Sequence, residues 1–321
     1  MNTGNFIYPI QEYIDRVEEV MRTNSDGHHP EINAAIEHLL SSGGKRIRPA
    51  ITLLTGKMLG GSTDKLIILS AAIELLHTAT LVHDDLIDGA LLRRGIATLN
   101  AQWSPAATVL TGDYIFARAA TLAAETESAE LIKIFSKTLA TIANGEITQL
   151  FASRGIIDRN EYYQRIYAKT ASLFELSAMA AAMLSTTDEE IILSFKRFGY
   201  DIGMAFQIVD DILDFTGEQI TIGKPVASDL RQGIITLPAI YYFENSNDRT
   251  ILEIFSNGNN PFEDQMENLI DSIRNSDAIS LAFQEAKRFV VHGREIFANY
   301  PDSVEKIALE NLTNYIVDRK F

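Results

Sequence analysis

Residues 66–88 read LIILSAAIELLHTATLVHDDLID. Apolar side chains run through this stretch without proline or glycine, as in a helix packed into a core, and the run ends in three aspartates. On a helix, Asp84 and Asp88 stand one turn apart and point the same way, with Asp85 turned roughly 100° from Asp84. A second stretch repeats the arrangement: the apolar run Phe198 to Val209 leads into Asp210, Asp211 and Asp214 at the same spacing. Scarce strand signals and two such runs point to an all-α fold.

Aspartate is a mediocre helix former, and like charges one turn apart repel by about a few tenths of a kcal/mol, so both clusters need compensation. Hard cations supply it. Magnesium takes oxygen ligands at about 2.0–2.1 Å, keeps several waters, and is commonly held by one or two carboxylates together with substrate phosphates. An exposed acidic helix end would account for one such cluster. Two matched clusters, one following Leu81 and Val82 and the other Ile208 and Val209, read instead as two walls of a site with phosphate between them.

The chain has 321 residues, 46% apolar and 22% charged, enough for a globular protein with a sizeable core. Its net charge of −15 argues against general binding of nucleic acid or anionic membrane, so any anion site must be built locally. The absence of cysteine removes disulfides, thiolate metal sites and cysteine nucleophiles, and agrees with a cytoplasmic location. Glu12, Asp15, Glu18 and Glu19 argue against a signal peptide, and no apolar run is expected to approach the ~18 residues that a membrane span needs.

No proline interrupts Ala106 to Lys224, as long helices require. Leu131, Phe135, Leu139 and Ile142 recur at helical spacing, and Tyr162 to Leu184 is similar. Asp158 to Glu161 and Thr187 to Glu190 have the spacing of capping boxes and mark two helix starts. The one strand-like alternation, Gln219 to Ile222, is too short to seed a sheet. With no long linker and no repeat, the expectation is a single all-α domain over residues 1–321.

A site for two diphosphates also needs cations. Gly43-Gly44-Lys45-Arg46-Ile47-Arg48-Pro49 places three of them in a turn, Arg93-Arg94-Gly95 follows Asp88, Lys169-Thr170 lies mid-helix, and Gly223-Lys224-Pro225 follows the second cluster. Each has a blander reading: a solvated loop for Lys45 to Arg48, charge balance for Arg93 and Arg94, a surface lysine for Lys169, a packed core residue for His77. His28 and His29 read as loop residues and Trp103 as packing.

Taken in order and spacing, these motifs, with Glu74-Leu75-Leu76-His77 and Phe206-Gln207, resemble the trans-isoprenyl diphosphate synthases, more closely the bacterial medium- and long-chain polyprenyl synthases. The likeness covers about residues 40 to 240. It implies an all-helical bundle with a deep central cavity, usually a homodimer, that adds isopentenyl diphosphate to a geranyl, farnesyl or geranylgeranyl primer with Mg2+. By the same resemblance Asp84 and Asp88 bind metal with Asp85 beside them, Asp210, Asp211 and Asp214 complete the metal site with Asp210 as its ligand, and all six are catalytic together with Arg93, Lys169 and Lys224. Lys45, Arg48, His77 and Arg94 match the isopentenyl diphosphate pocket. Arg93, Lys169, Thr170, Gln207 and Lys224 match the allylic pocket.

Ala79 and Thr80, about one turn before Asp84, are small where shorter-chain members carry aromatic residues, which implies a product longer than geranylgeranyl diphosphate. Phe116, Phe135 and Phe151 are candidates for the floor that stops growth. The chain departs from the family pattern at Ala97, Asn100 and Ile234. The last replaces a frequent lysine, for which Arg231 is a candidate substitute. A class I terpene cyclase has one aspartate-rich helix in common with this reading but no second diphosphate to hold. A non-catalytic partner subunit would keep the fold, yet both aspartate triads are intact. A di-iron bundle lacks a second Glu-x-x-His.

Overall fold

A computed structural model describes residues 6–22, 29–41, 43–152, 155, 157–217, 226–246, 250–259 and 261–319. The expected strand-like segment 219–222 and Gly223-Lys224-Pro225 lie outside them. The chain is all-α, and its backbone contacts group into two compact units.

Unit 1 comprises Met1–Leu139, Leu173–Gly199 and Ile296–Leu312. It contains α1 (Gln11–Arg22), α2 (Pro30–Ser41), α3 (Ile47–Met58), α4 (Thr63–Ile87), a short α5 (Leu99–Gln102) and α6 (Pro105–Glu125). It also holds the start of α7 (Ala129–Phe151) and nearly all of α9 (Ser172–Met183), which follows α8 below. α4 packs along α6, α3 and α1, so Leu66, Leu69, Ile73, Leu76 and Ala79 are buried. The expectation that no segment is apolar enough to span a membrane needs correcting here. α4 is long and apolar enough, but 67% of its apolar window is buried within the protein, as a core helix requires.

Unit 2 comprises Ala140–Ser172, Tyr200–Glu295 and Thr313–Phe321. It takes in α8 (Arg159–Ile166), the C-terminal part of α10 (Glu189–Thr216), α11 (Ser228–Arg231) and α12 (Leu237–Asn245). α13 (Thr250–Ser256), α14 (Glu263–Arg274), α15 (Ala278–Arg294) and the end of α16 (Val304–Asp318) complete it. Its core gathers Tyr162, Ile208, Phe215, Leu237, Phe243, Phe255 and Ile270.

Several helix starts follow from side chains that accept the free N–H groups of a first turn. Ser104 receives Ala107 N at 3.3 Å with Pro105 at the first helical position, and Asp158 receives Asn160 N at 2.7 Å. The start expected at Thr187 falls one residue later, because Asp188 Oδ1 takes Glu190 N at 2.9 Å. The helix expected over residues 162–184 is not uniform. Tyr167–Ala171 forms a π turn, in which Ser172 N reaches back to Tyr167 O. The only strand pair among the described residues joins Leu92–Arg93 (β1) to Ile96–Ala97 (β2), antiparallel, where the sequence suggested only a break. Arg94 and Gly95 have φ of 51° and 79°, the pair of positive values that a tight two-residue hairpin requires.

α4 stops directly after its aspartates. Gly89 adopts φ 64°, its N–H bonds Leu86 O at 3.2 Å, and Ala90 N bonds Asp85 O at 2.8 Å, which is a Schellman C-cap. A Cβ added at Gly89 would meet nothing within 4 Å, so the demand is purely conformational. Gly89→Ala should therefore destabilise the protein by about 1 kcal/mol, and Gly89→Asn by less, in urea unfolding followed by helical circular dichroism.

Candidate active site

In unit 1 the C-terminal end of α4 presents Asp84 half-buried and Asp88 exposed, while Asp85 is buried. Asp85 is taken up by Arg93: Nε donates to both carboxylate oxygens at 2.9 and 3.0 Å, and Nη2 lies 2.8 Å from Oδ1. This charge-assisted pair ties the hairpin to the helix end. Arg94, at the hairpin tip, donates from Nη1 to Gly43 O at 2.6 Å, which joins the hairpin to the Gly43–Arg48 turn.

In that turn the cations divide their roles. Arg46, in a left-handed conformation at φ 45°, is buried between Glu18 of α1 at 2.9 Å and Glu74 of α4 at 3.1 Å. It is a structural clamp. Lys45 is exposed, and Arg48 is half-buried with its guanidinium 4.8 Å from the Phe174 ring centroid. Desolvation, then the fields of Arg48, Arg94, Arg93 and Arg46, holds the His77 imidazole well below the usual histidine range. His77 is thus a neutral ring among cations, able to offer an N–H without adding charge.

His77, Thr80 and Asp84 recur at helical spacing on one face of α4, and each is half-buried. Thr80 directs its hydroxyl to His77 O at 2.7 Å, whereas Ala79 is wholly buried. Of the phenylalanines named as possible floors, Phe135 is buried. Phe116 sits edge-on to His83 at 5.3 Å. Phe151 is 86% exposed, so it forms no floor within its unit. A cavity of about 500 Å³ in unit 1, lined by His29, Ile32, Trp103, Ala107 and Leu110 among others, contains none of the predicted site residues.

In unit 2 the second triad is held differently at each position. Asp211 is buried and accepts from Tyr162 Oη at 2.7 Å and Gln207 Nε2 at 2.8 Å. Burial, then the nearby Asp229, pushes its carboxyl up to about 7 against those bonds. Gln207 in turn receives Thr170 Oγ1 at 2.6 Å. Asp214 accepts from Ser228 N and Oγ at 3.1 Å and from Asp229 N at 3.3 Å, and so anchors the turn into α11. Asp210 is 36% exposed and paired with Arg319 at 2.8 Å. Lys169 lies in the π turn, 3.2 Å from Glu146 of α7, where Gly145 allows close approach: a Cβ there would stand 2.5 Å from Ala168 Cβ. Lys224 lies outside the described residues.

Arg231 is engaged by Val226 O at 2.9 Å, by Glu263 at 2.7 Å and by Glu267, a structural set within unit 2. Sequence reasoning missed Tyr162, Glu146 and Arg319. Each meets its partner from far along the chain, and no local spacing marks it.

Both α4 and α10 end with no basic residue in the last turn, so Asp84, Asp85 and Asp88 of the one and Asp214 of the other oppose the negative end of the helix dipole. A bound cation relieves that conflict. Among the described residues no three His, Cys, Asp or Glu side chains converge to hold an ion by themselves. Asp84 and Asp88, oxygen donors on the open end of α4, fit a hard divalent ion that keeps water or phosphate oxygens as its other ligands.

The neutral state of His77 has a consequence for stability. The folded chain takes up no proton there where the unfolded chain does, below about pH 6.5, so this residue costs stability as pH falls through that value. His77→Gln should lose less stability than the unaltered chain between about pH 7.5 and about pH 5.5, by about 1 kcal/mol in paired urea titrations. Equal losses would place an ordinary histidine there.

Three comparisons fit this geometry. The polyprenyl synthetase family model matches residues 29–273. Heptaprenyl diphosphate synthase component 2 of Bacillus subtilis strain 168 is 33% identical over 97% of this chain and 89% of its own length. The polyprenyl synthase of Caulobacter crescentus CB15, solved with calcium and isoprenyl diphosphate, superposes with a TM-score of 0.91 at 32% identity, covering 99% of this chain and 98% of that one. With two acidic helix ends, the arginine turn and the neutral histidine in place, the chain belongs to the polyprenyl synthetase family, whose members are prenyltransferases.

Proposed function

We propose that the chain is a magnesium-dependent trans-polyprenyl diphosphate synthase. It condenses isopentenyl diphosphate head to tail onto a geranyl, farnesyl or geranylgeranyl primer and yields a product longer than geranylgeranyl diphosphate. The observation that carries this reading is the pair of acidic helix ends, each built against its dipole and each with a specific set of supporting partners. The relatives align over nearly the whole chain, which supports one synthase domain over residues 1–321.

In this reading Asp84, Asp88 and Asp210 are the metal ligands. Magnesium, when bound, neutralises the diphosphate leaving group. Arg93, Lys169 and Lys224 draw off the remaining negative charge as the allylic carbon–oxygen bond breaks. Lys45, Arg48, Arg94 and the neutral His77 bind isopentenyl diphosphate, whose double bond attacks the allylic cation. Thr170 and Gln207 orient the allylic diphosphate. Asp85, Asp211 and Asp214 act through Arg93, Gln207 and the turn at 226–229 as positioning residues. Loss of a proton, with the departing diphosphate as base, completes a chain longer by five carbons.

A homodimer is in keeping with the exposed Val109 and Leu110 of α6 and Ile147, Leu150 and Phe151 of α7. Lack of cysteine is in keeping with the cytoplasm. The Bacillus relative is named as a component, which favours a second reading in which this chain works with another subunit.

Purified chain incubated with magnesium, isopentenyl diphosphate and farnesyl diphosphate should release products longer than twenty carbons. Activity only after a second component is added would favour the alternative, and cyclised product without isopentenyl diphosphate would refute the coupling. Thr80→Phe should shorten the product. It tests length control better than Ala79→Phe, because an aromatic ring at the wholly buried Ala79 would overpack the core by about 1–3 kcal/mol.

A further inference from the structure

Arg319 follows α16, and its guanidinium is enclosed by α10. Its side chain is 9% exposed; Nη1 lies 2.8 Å from Asp210 Oδ1, Nη2 donates to Phe206 O at 2.9 Å, and Nε donates to Ile316 O at 3.2 Å. Its planar group also lies 3.8 Å from the centroid of the Phe206 ring. Phe206 and Asp210 are one helical turn apart, so one arginine grips a carbonyl, a ring and a carboxylate on the same face of α10. No motif in the sequence links residue 319 to residue 210.

A surface ion pair would hold little, because two long side chains would lose freedom in high dielectric. Here the arginine is buried and fixed at several points, while the carboxylate it touches is partly open to solvent. The cation therefore serves as a rigid support beneath an accessible anion. Partners of this kind, which orient a metal-binding carboxylate from behind, typically alter metal affinity by about 10–100-fold when removed.

We propose that Arg319 is the positioning residue for Asp210: it fixes the orientation of the carboxylate that binds the divalent ion. The inference rests on the metal role given to Asp210 above. In this role Arg319 acts through that carboxylate.

The test is Mn2+ binding by the purified full chain in the presence of inorganic diphosphate, followed by the loss of the free-ion resonance signal. Arg319→Gln should weaken Mn2+ binding by about 10–100-fold, and this effect should vanish when Asp210→Asn is already present. Unchanged affinity in a folded Arg319→Gln chain would overturn the proposal. So would an equal further weakening in the Asp210→Asn background, since Arg319 would then act elsewhere. If Arg319→Gln does not fold, Arg319→Lys serves instead: its single amine cannot span Phe206 O and Asp210 together, and a severalfold weakening is expected, with no change again overturning the proposal. Mn2+ affinity unaffected by Asp210→Asn alone would remove the metal role of Asp210 and this inference with it, a result distinct from the other failures.

Discussion

Carboxylates placed toward the C-terminal ends of two long helices, one in each unit, are the constraint on which the candidate site residues depend. Asp84, Asp85 and Asp88 at the end of α4 and Asp214 in the last turn of α10 sit where the dipole disfavours them, by about 0.3–1 kcal/mol for an exposed group. Like charges one turn apart add to that cost. No lysine or arginine of either last turn offsets it. The compensation comes from outside the motifs, and it differs at each aspartate.

Asp85 is closed off by Arg93, Asp211 by Tyr162 and Gln207, and Asp214 by the backbone of the turn it anchors. Asp210 stands partly open over a buried arginine, and Asp84 and Asp88 occupy the unburied end of α4. Six residues that look equivalent in the sequence therefore fall into supporting and presenting groups. The arginine-rich turn shows the same separation, with Arg46 spent on Glu18 and Glu74 while Lys45 is exposed. His77 is held in its neutral form by desolvation and by its arginine neighbours, one uncharged polar group among cations.

Much of this was legible in the sequence, because helical periodicity and the spacing of aspartates are local properties. α4 and α10 end as the motifs require, and Asp158 caps its helix. What local reading could not supply were contacts closed by the fold. Arg319 meets Asp210 from beyond α16, Tyr162 meets Asp211 from α8, and Glu18 meets Arg46 from α1. The π turn at Tyr167–Ala171 was hidden for a related reason: its residues are ordinary helix formers, and the wide turn lies where Gly145 of α7 comes close to Ala168. The hairpin at Leu92–Ala97 carried a signal in Arg94-Gly95, but a two-residue ladder is too short for alternation to show. The capping residue of α10 was misplaced by one position because Thr187 and Asp188 are both competent acceptors.

The account holds that an acidic helix end is retained for a cation and not for the fold. Unfolding free energies of the unaltered chain and of Asp88→Asn, measured with a chelator and then with magnesium and inorganic diphosphate, test this directly. Without metal the variant should be the more stable by about 0.3–1 kcal/mol, and magnesium diphosphate should stabilise the unaltered chain far more than the variant. A variant less stable than the unaltered chain in chelator, and equally stabilised by magnesium diphosphate, would contradict it.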